Sequence, residues 1–427
     1  MNLQIEKMRK KLEAVGLLPL RVQTETSVKV LKERLDVVLQ KTMAESDIDF
    51  WLVMATEYNE DPVMRSLFTW DMPTARRLSV LMFHKKPDGS IRRMSAWAPS
   101  PQMNKLYENC LNPGEDIWDC LVRVIQECAP KTIGINTSEN FGMGDGLAAT
   151  LKDKLEKALP DEYKSRLKSA ENLCITYLQN IAPIEEKLMK TVVEVTQDII
   201  NMAYSNESIT PGVTTTTDLE WIMREATETL QCDHSFGPDV DLQRMGCENS
   251  RLSDSVIMPG DLLHCDIGVK PRYIHLHSDI QRLAYVAKPG ETQVPEGLKK
   301  VLANGNRFQD IVMENMMSEK SGNEIFTKAL KQGLDEGLSP MLYTHPIGAY
   351  CHNAGPTIGM YGIQKEIPGK GDYRVTPVTC FALELNCLTK VSEWENQEIF
   401  AYLEEDIWCH EKPDYINGRQ TEIIFVK

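Results

Sequence analysis

The chain has 427 residues, of which 42% are hydrophobic and 26% charged, and it carries a formal net charge of −15. That length predicts two domains rather than one ordinary core. The acidic balance argues against nucleic acid, whose phosphates reward a surplus of Lys and Arg, and weakly against anionic membranes.

The opening stretch MNLQIEKMRKKLEAVGLL has the spacing of an amphipathic helix and lacks the apolar centre of a signal peptide. No run approaches the ~18 apolar residues of a membrane span. Eleven cysteines are scattered without a CxxC pair, several inside apolar runs such as Leu-Leu-His-Cys265-Asp and Val-Thr-Cys380-Phe. Buried, reduced thiols explain that pattern better than a disulfide framework, so a cytoplasmic protein is expected.

A charged helix is predicted from Val28 to Ser46, followed by a short apolar strand, Phe50-Trp-Leu-Val-Met-Ala. Leu78 to Phe83, the turn Pro87-Asp-Gly-Ser90 and Ile91 to Trp97 form a hairpin pattern. A helix around Ile117 to Glu127 precedes a further strand, Thr132-Ile-Gly-Ile-Asn136. Residues 1–181 thus form an α/β domain with a mixed sheet. It holds no phosphate-cradling glycine loop and no nucleophile elbow, and its acids and its one histidine, His84, suit a solvated surface. This domain is expected to support, cover or dimerise rather than react.

The pattern changes near Ala182-Pro183, which opens a second domain, 182–427. A long helix with apolar residues at helical spacing starts at Ile184, Pro211-Gly212 breaks it, and Thr217-Asp218 is placed to cap a second helix running to about Leu230. Strands follow around Leu262 and Ile280, helices between Pro295 and Gly333, and strands near Cys380, Phe400 and Ile423. Helices flanking an antiparallel sheet make this an α+β domain.

The chemistry concentrates in four carboxylates set in strand-like apolar runs and one histidine: Asp266, Asp279, His345, Glu384 and Glu405. Burying unpaired charge is costly, and a pair of divalent cations would relieve all four acids at once. In the segment 261–285, Lys270-Pro-Arg272 reads as a hairpin tip, and a turn centred near 272–273 would set Asp266 opposite Asp279. Alternation groups His264, Asp266 and Gly268 on one face, and His275, His277, Asp279 and Gln281 on the partner strand. Carboxylates opposed at ~4.5–5.5 Å between Cβ atoms repel and call for a cation; a solvated polar face is the plainer alternative. Asp261, after Pro259-Gly260, reads as a turn residue.

Pro346 holds His345 in extended backbone, and His352 follows in a loop of small residues, which suits a ligand and a nearby donor. Glu384 shares its face with Cys380, Ala382 and Asn386, small neighbours that leave room beside the carboxylate. Glu405 alternates with Ala401, Leu403 and Ile407, a stripe on which a glutamate needs a counter-ion, whereas Glu404 and Asp406 fall on the other face in a supporting role.

The order Asp, Asp, His, Glu, Glu, with a second His seven residues after the first, resembles the pita-bread metallopeptidases: methionine aminopeptidase, aminopeptidase P and prolidase. The matching stretches are Gly260-Asp-Leu-Leu-His-Cys-Asp266-Ile-Gly, Ser278-Asp279-Ile-Gln-Arg282, His345-Pro-Ile-Gly with His352, Ala382-Leu-Glu384-Leu and Leu403-Glu-Glu405-Asp406, within residues 184–427. The preceding domain is similar to the N-terminal domain of the aminopeptidase P, prolidase and creatinase branch.

The resemblance implies a C-terminal pita-bread domain behind a smaller α/β N-terminal domain. It implies that Asp266 chelates one metal, that His345 and Glu384 hold the other, and that Asp279 and Glu405 bridge them. Hard oxygen ligands suit two divalent ions, Mn²⁺ first, with Co²⁺, Fe²⁺ or Zn²⁺ also accommodated. A hydroxide bridging the metals would attack the peptide carbonyl, Glu384 would shuttle the proton, and His352 would bind the substrate carbonyl or the oxyanion. The activity implied is an Xaa-Pro aminopeptidase or dipeptidase acting on short peptides, in a protein expected to be a homodimer.

Two features depart from the family. A histidine usual shortly upstream of the first Asp is absent from Gly246-Cys-Glu-Asn249-Ser-Arg-Leu-Ser253-Asp254, leaving His234, His264, His275 and His277 as candidate substitutes. The spacing from Asp266 to Asp279 is also slightly long, although an even insertion at a hairpin tip preserves the facing sides. The departures keep open a metal-dependent non-peptidase of the same fold, a hydrolase or lyase acting on a small carboxylate. A non-catalytic binding protein of this fold is a further alternative.

Overall fold

The computed structural model describes residues 2–96 and 100–427. The chain divides into two compact units, Thr24–Ile184 and, together with the residues up to Gln23, Glu185–Lys427. The opening residues were expected in the N-terminal domain; they group instead with the second unit. Lys11 donates to Asp198 at 2.6 Å and pairs with Glu194 at 2.6 Å, and Gln23 accepts from the Tyr273 amide at 2.8 Å.

The unit 24–184 holds a six-stranded mixed sheet. In chain order its strands are β1 (Phe50–Ala55), β2 (Ser79–Lys85), β3 (Ile91–Ser95), β4 (Glu108–Asn109), β5 (Ile133–Ile135) and β6 (Leu167–Ser169), arranged β4-β3-β2-β1-β5-β6. The β1–β2 and β2–β3 pairs are antiparallel, and β5 joins β1 in parallel, as the α/β pattern requires. Trp97, the expected end of the hairpin, lies outside the described residues. Asp116 caps the helix Ile117–Cys128 by accepting from the Trp118 amide, and the apolar face of that helix, Leu121, Val124 and Ile125, packs on Phe50, Leu52 and Met54. The charged helix runs longer than expected, through Leu20–Glu33, a π-helical stretch Arg34–Leu39, and Gln40–Glu45.

The second unit follows the α+β expectation. Thr215, two residues before the expected cap, closes a capping box with Asp218 on the helix Thr216–Thr229. Its strands are β7 (Cys232–His234), β8 (Asp239–Gln243), β9 (Leu262–Ile267), β10 (Val269–Pro271), β11 (Ile280–Val286), β12 (Pro340–Leu342), β13 (His345–Ile347), β14 (Thr379–Ala382), β15 (Leu385–Val391), β16 (Gln397–Leu403), β17 (Asp406–Cys409), β18 (Pro413–Tyr415) and β19 (Ile424–Val426). They form sheets β19-β11-β9-β8, β12-β15-β16 and β13-β14-β17-β18, with β10 paired to β7.

Behind these sheets lies a core that includes Leu298, Val301, Phe308 and Ile311 of the helix Glu296–Asn315, Leu385 and Val391 of β15, and Ile399, Ala401 and Leu403 of β16. Gly305 lets that helix approach β16: a Cβ there would meet Leu403 Cδ1 at 2.6 Å and Ala401 Cβ at 2.9 Å. The packed layer so formed carries the strand ends beside which the acids sit. Among the described residues, no helix is long and apolar enough to cross a membrane.

Candidate metal centre

β9 and β11 pair antiparallel, as the alternating pattern requires, but two residues out of the expected register. Asp266 faces Gln281, not Asp279. The physical reason is that Val269–Pro271 leaves this ladder and pairs with Cys232–His234, so the connection is no simple hairpin tip. The slip is even, and side-chain facing survives it: Asp279, two residues before Gln281, stays on the same side. Asp279 is locked by its own amide, which donates to Asp406 Oδ2 at 3.0 Å, and by the Cys351 thiol, which donates to its Oδ2 at 2.9 Å.

His345 opens β13 opposite Ala382 of β14. Its Nδ1 faces the Pro346 carbonyl at 3.1 Å, which leaves Nε2 for the acids. Nε2 lies 3.6 Å from Glu404 Oε1, 3.8 Å from Glu384 Oε2 and 3.9 Å from Asp279 Oδ2. Glu384 sits in the break between β14 and β15, where its carbonyl accepts from the Tyr343 amide at 3.2 Å and the Thr344 hydroxyl at 3.1 Å.

The structure corrects the last acid. Glu404, not Glu405, joins the cluster. Both lie between β16 and β17, and the Gln281 amide donates to the Glu404 carbonyl at 3.2 Å, stitching this break to β11. Glu405 follows the core-facing side of Ala401, Leu403 and Ile407, as its alternation indicated, and finds its counter-ion in a side chain. Arg282 donates from Nη1 to Oε1 at 2.7 Å and from Nη2 to Oε2 at 2.9 Å, and the Gln420 amide adds a third bond at 2.8 Å. Three donors hold both oxygens of Glu405, and among the described residues it belongs to none of the clusters the other acids form.

The remaining acids lack such partners. Asp266 Oδ1, Asp279 Oδ1, His345 Nε2, Glu404 Oε1 and Asp406 Oδ1 are buried without a hydrogen bond, a costly state for polar atoms unless something else binds them. Burial first, and then neighbouring acids, push Asp266 and Glu404 well above the carboxylate range. Burial, with Glu384 alongside and the Cys351 thiol opposing, moves Asp279 up to about 7, and burial with Asp266 alongside moves Glu384 up to about 8. Burial and then His352 lower His345 to about 3, so its ring is neutral and ready to donate a lone pair.

These are the features of a cation site. Asp266, Asp279 and Glu404, then His345, Glu384 and Glu404, and then Asp279, His345 and His352 each bring ligand atoms within 4.8 Å of one another. Hard oxygens with one or two imidazoles fit a divalent ion, so the residues present suit the metal the sequence implied. His352 is exposed, its ring 4.5 Å from that of His345 and nearly perpendicular to it.

None of the four candidate substitutes for the absent histidine enters these groups among the described residues. His264 is buried, with Nδ1 3.2 Å from Asp241 and Nε2 3.0 Å from Gln281 Oε1. His277 faces the Ser235 hydroxyl at 2.8 Å, His234 is half-buried, and His275 is exposed. In the histidine-free stretch it is Arg251 that reaches the site's surroundings, pairing with Asp241 at 2.6 Å and Asp239 at 2.8 Å.

No motif assigns a role to Gln281, Asp241 or Cys351, which the fold brings to the site or its surroundings. Gln281 had a usable signal, since it alternates with Asp279 on one face. The other two are brought in by loops and by a neighbouring strand, which no local pattern reports.

Residues 187–411 match the model of metallopeptidase family M24. No curated protein sequence matches the chain. Among solved structures the chain is similar to an X-Pro aminopeptidase from Thermotoga maritima MSB8, with TM-score 0.66 and 16% identity over 90% of this chain and 100% of that one. It is similar to an Xaa-Pro dipeptidase from Bacillus anthracis, with TM-score 0.61 and 19% identity over 93% and 100%. A prolidase from Pyrococcus furiosus gives TM-score 0.58 and 15% identity over 89% and 99%.

Proposed function

The chain belongs to metallopeptidase family M24, and from that membership we propose that it is a metal-dependent peptidase cleaving short peptides, as an Xaa-Pro aminopeptidase or Xaa-Pro dipeptidase. One observation carries the reading: buried ligand atoms of Asp266, Asp279, His345 and Glu404 converge with no partner of their own, with Glu384 beside them. The smaller N-terminal unit and the likeness of the whole chain to proline-directed peptidases support the proline-specific branch.

A bound divalent ion supplies Lewis acidity, which makes water a nucleophile near neutral pH and polarises a carbonyl oxygen. The chain's own groups do the rest. Glu384, whose Oε2 lies 3.8 Å from His345 Nε2, takes a proton from the attacking water and returns it to the departing amine. His352 stands exposed beside His345, and from there its ring donates a hydrogen bond to the scissile carbonyl oxygen as negative charge develops. Asp406 holds the Asp279 backbone and Cys351 its carboxylate, which keeps that side chain in one orientation.

The test compares chelator-stripped and Mn²⁺-reconstituted protein on Xaa-Pro dipeptides and on tripeptides with proline second, read by mass spectrometry. Release of the first residue from tripeptides assigns an aminopeptidase; cleavage of dipeptides alone assigns a dipeptidase. Turnover surviving Glu384→Ala would remove the proton role given to that residue.

A second reading keeps the site and changes the substrate to a small carboxylate, handled by hydrolysis or elimination. It is favoured by the stretch Gly246 to Asp254, which offers no histidine to the leaving group. Metal-loaded protein that cleaves none of these peptides would turn the assignment to it.

A further inference from the structure

Gln281 faces Asp266 across the β9–β11 ladder, and its side chain reaches into the acid cluster. The amide nitrogen lies 2.8 Å from Glu384 Oε1, 3.1 Å from Glu404 Oε2 and 3.4 Å from Asp266 Oδ2. Carboxylate oxygens accept hydrogen bonds, so the NH₂ end must face them and Oε1 must face away. On that far side Oε1 lies 3.0 Å from His264 Nε2, Asp241 lies 3.2 Å from His264 Nδ1, and Arg251 pairs with Asp241 at 2.6 Å. The glutamine is braced from behind by a chain of three side chains.

Two of the acids divide their oxygens between neighbours. Gln281 takes Glu384 Oε1 and Glu404 Oε2, whereas the other two oxygens, Glu384 Oε2 and Glu404 Oε1, lie 3.8 and 3.6 Å from His345 Nε2. Ligand atoms sharing one ion at ~2.0–2.2 Å stand roughly 3.0–3.6 Å apart, so the His345 corner needs little adjustment to close on a cation. The corner of Asp266, Asp279 and Glu404 differs: two of its oxygens, Asp266 Oδ2 and Glu404 Oε2, already face an amide.

We propose that the Gln281 amide fills one corner of the centre, so that the chain binds one divalent ion tightly, on His345, Asp279, Glu384 and Glu404, and a second only weakly. A cation at the filled corner would meet the hydrogens of an NH₂ group. Gln281 would have to swing out, losing its bonds to charged acceptors and its hold on His264. Gln281 is thereby the residue that sets the metal count. The inference rests on the metal-binding part of the reading above and is independent of peptide cleavage.

The experiment is a metal count on the full chain, stripped with chelator and titrated with Mn²⁺. Calorimetry and elemental analysis should give one ion per chain, with a second at least a hundredfold weaker, and electron paramagnetic resonance should show an isolated ion. Gln281→Ala should take up two ions of comparable affinity and give an exchange-coupled spectrum. Gln281→Thr, which puts a shorter, strand-favouring β-branched residue there, should do the same, and unchanged affinity for the first ion certifies the fold of either variant. His345→Ala should lose the tight site.

Two ions of similar affinity in the unaltered chain, or a count that stays at one in both Gln281 variants, would overturn the proposal. So would a chain that binds no Mn²⁺. One tight ion without any peptide turnover would end the peptidase assignment and leave this inference standing; turnover with two tight ions would do the reverse.

Discussion

Glu404 and Glu405 are neighbours in the chain whose carboxylates face opposite sides of one strand break. Glu404 stands 3.6 Å from His345 Nε2 with an oxygen that has no hydrogen bond, while Glu405 is clamped by Arg282 at 2.7 and 2.9 Å. The ladder they join repeats the division: Gln281 points to the acid cluster, and Arg282 to Glu405.

The pair therefore separates binding from stability. Glu404→Gln should abolish tight Mn²⁺ binding and leave folding of the metal-free chain intact, because burial already drives the Glu404 carboxyl toward its neutral form there and a neutral amide of the same shape replaces it. Glu405→Gln should retain the ion but leave Arg282 buried without its partner, at a cost of about 3–5 kcal/mol. Elemental analysis and urea denaturation of both variants check this. Loss of metal in Glu405→Gln with unchanged stability would reverse the assignment.

Acids held above their unfolded values give the metal-free protein a pH-dependent stability. Burial raises Asp279 to about 7 and Glu384 to about 8, from ordinary values of 3.8 and 4.5. The folded state then binds more protons than the unfolded state between those limits, so stability is full below pH ~4 and falls as pH rises through 7 and 8. The melting temperature of chelated protein should drop from pH 5 to pH 8. Saturating Mn²⁺ should flatten the dependence, since the ion neutralises the same charges. A chelated protein more stable at pH 8 than at pH 5 would contradict the burial of these groups.

Much of this centre was legible because carboxylates in apolar strands are expensive. Asp266, Asp279, His345 and Glu384 stood out by residue type and setting, and the structure brings all four together. Two readings failed for non-local reasons. The register of Asp266 depended on whether residues 269–271 continued the hairpin, and they pair instead with a strand some 35 residues upstream. The choice between Glu404 and Glu405 depended on which of them met an arginine. Alternation gave Glu405 the core side correctly, but only the β9–β11 ladder places Arg282 there to satisfy it. The first 23 residues are a third case, since a helix at the start of a chain carries no mark of the unit it packs on.

Asp241 should matter without touching the cluster. Its Oδ2 lies 2.6 Å from Arg251 and 3.2 Å from His264. Burial lowers the affinity of His264 for its proton, and the nearby Asp241 charge more than restores it, so the ring ends above its ordinary value. Asp241→Asn should drop the His264 pKa below 6.5, the ordinary value, and destabilise the fold by about 1–3 kcal/mol, the cost of a buried polar group left poorly paired. A raised folded pKa stabilises at low pH, so the loss should be largest below pH ~6 and fade above it. Ring-proton titration by NMR, with denaturation at two pH values, reads both effects. An unchanged His264 pKa would show that Asp241 does not govern this ring.

Gly305 tests whether the core positions the metal ligands. Replacing a mid-helix glycine by alanine ordinarily stabilises by about 1 kcal/mol. Here the added methyl would stand 2.6 Å from Leu403 Cδ1 and 2.9 Å from Ala401 Cβ. The leucine end can rotate, but Ala401 moves only with its backbone, so the helix or β16 must give way. Overpacking of this kind costs about 1–3 kcal/mol, enough to outweigh the gain in helix propensity. Leu403 directly precedes Glu404, so displacement of β16 carries that ligand with it. Gly305→Ala should lower stability by about 1 kcal/mol and weaken Mn²⁺ binding by about tenfold, a disturbance of ~1.4 kcal/mol. Calorimetric titration and urea denaturation measure the two together. A more stable variant with unaltered affinity would show that the helix–strand gap absorbs a methyl group and that the ligands are held from the loops alone.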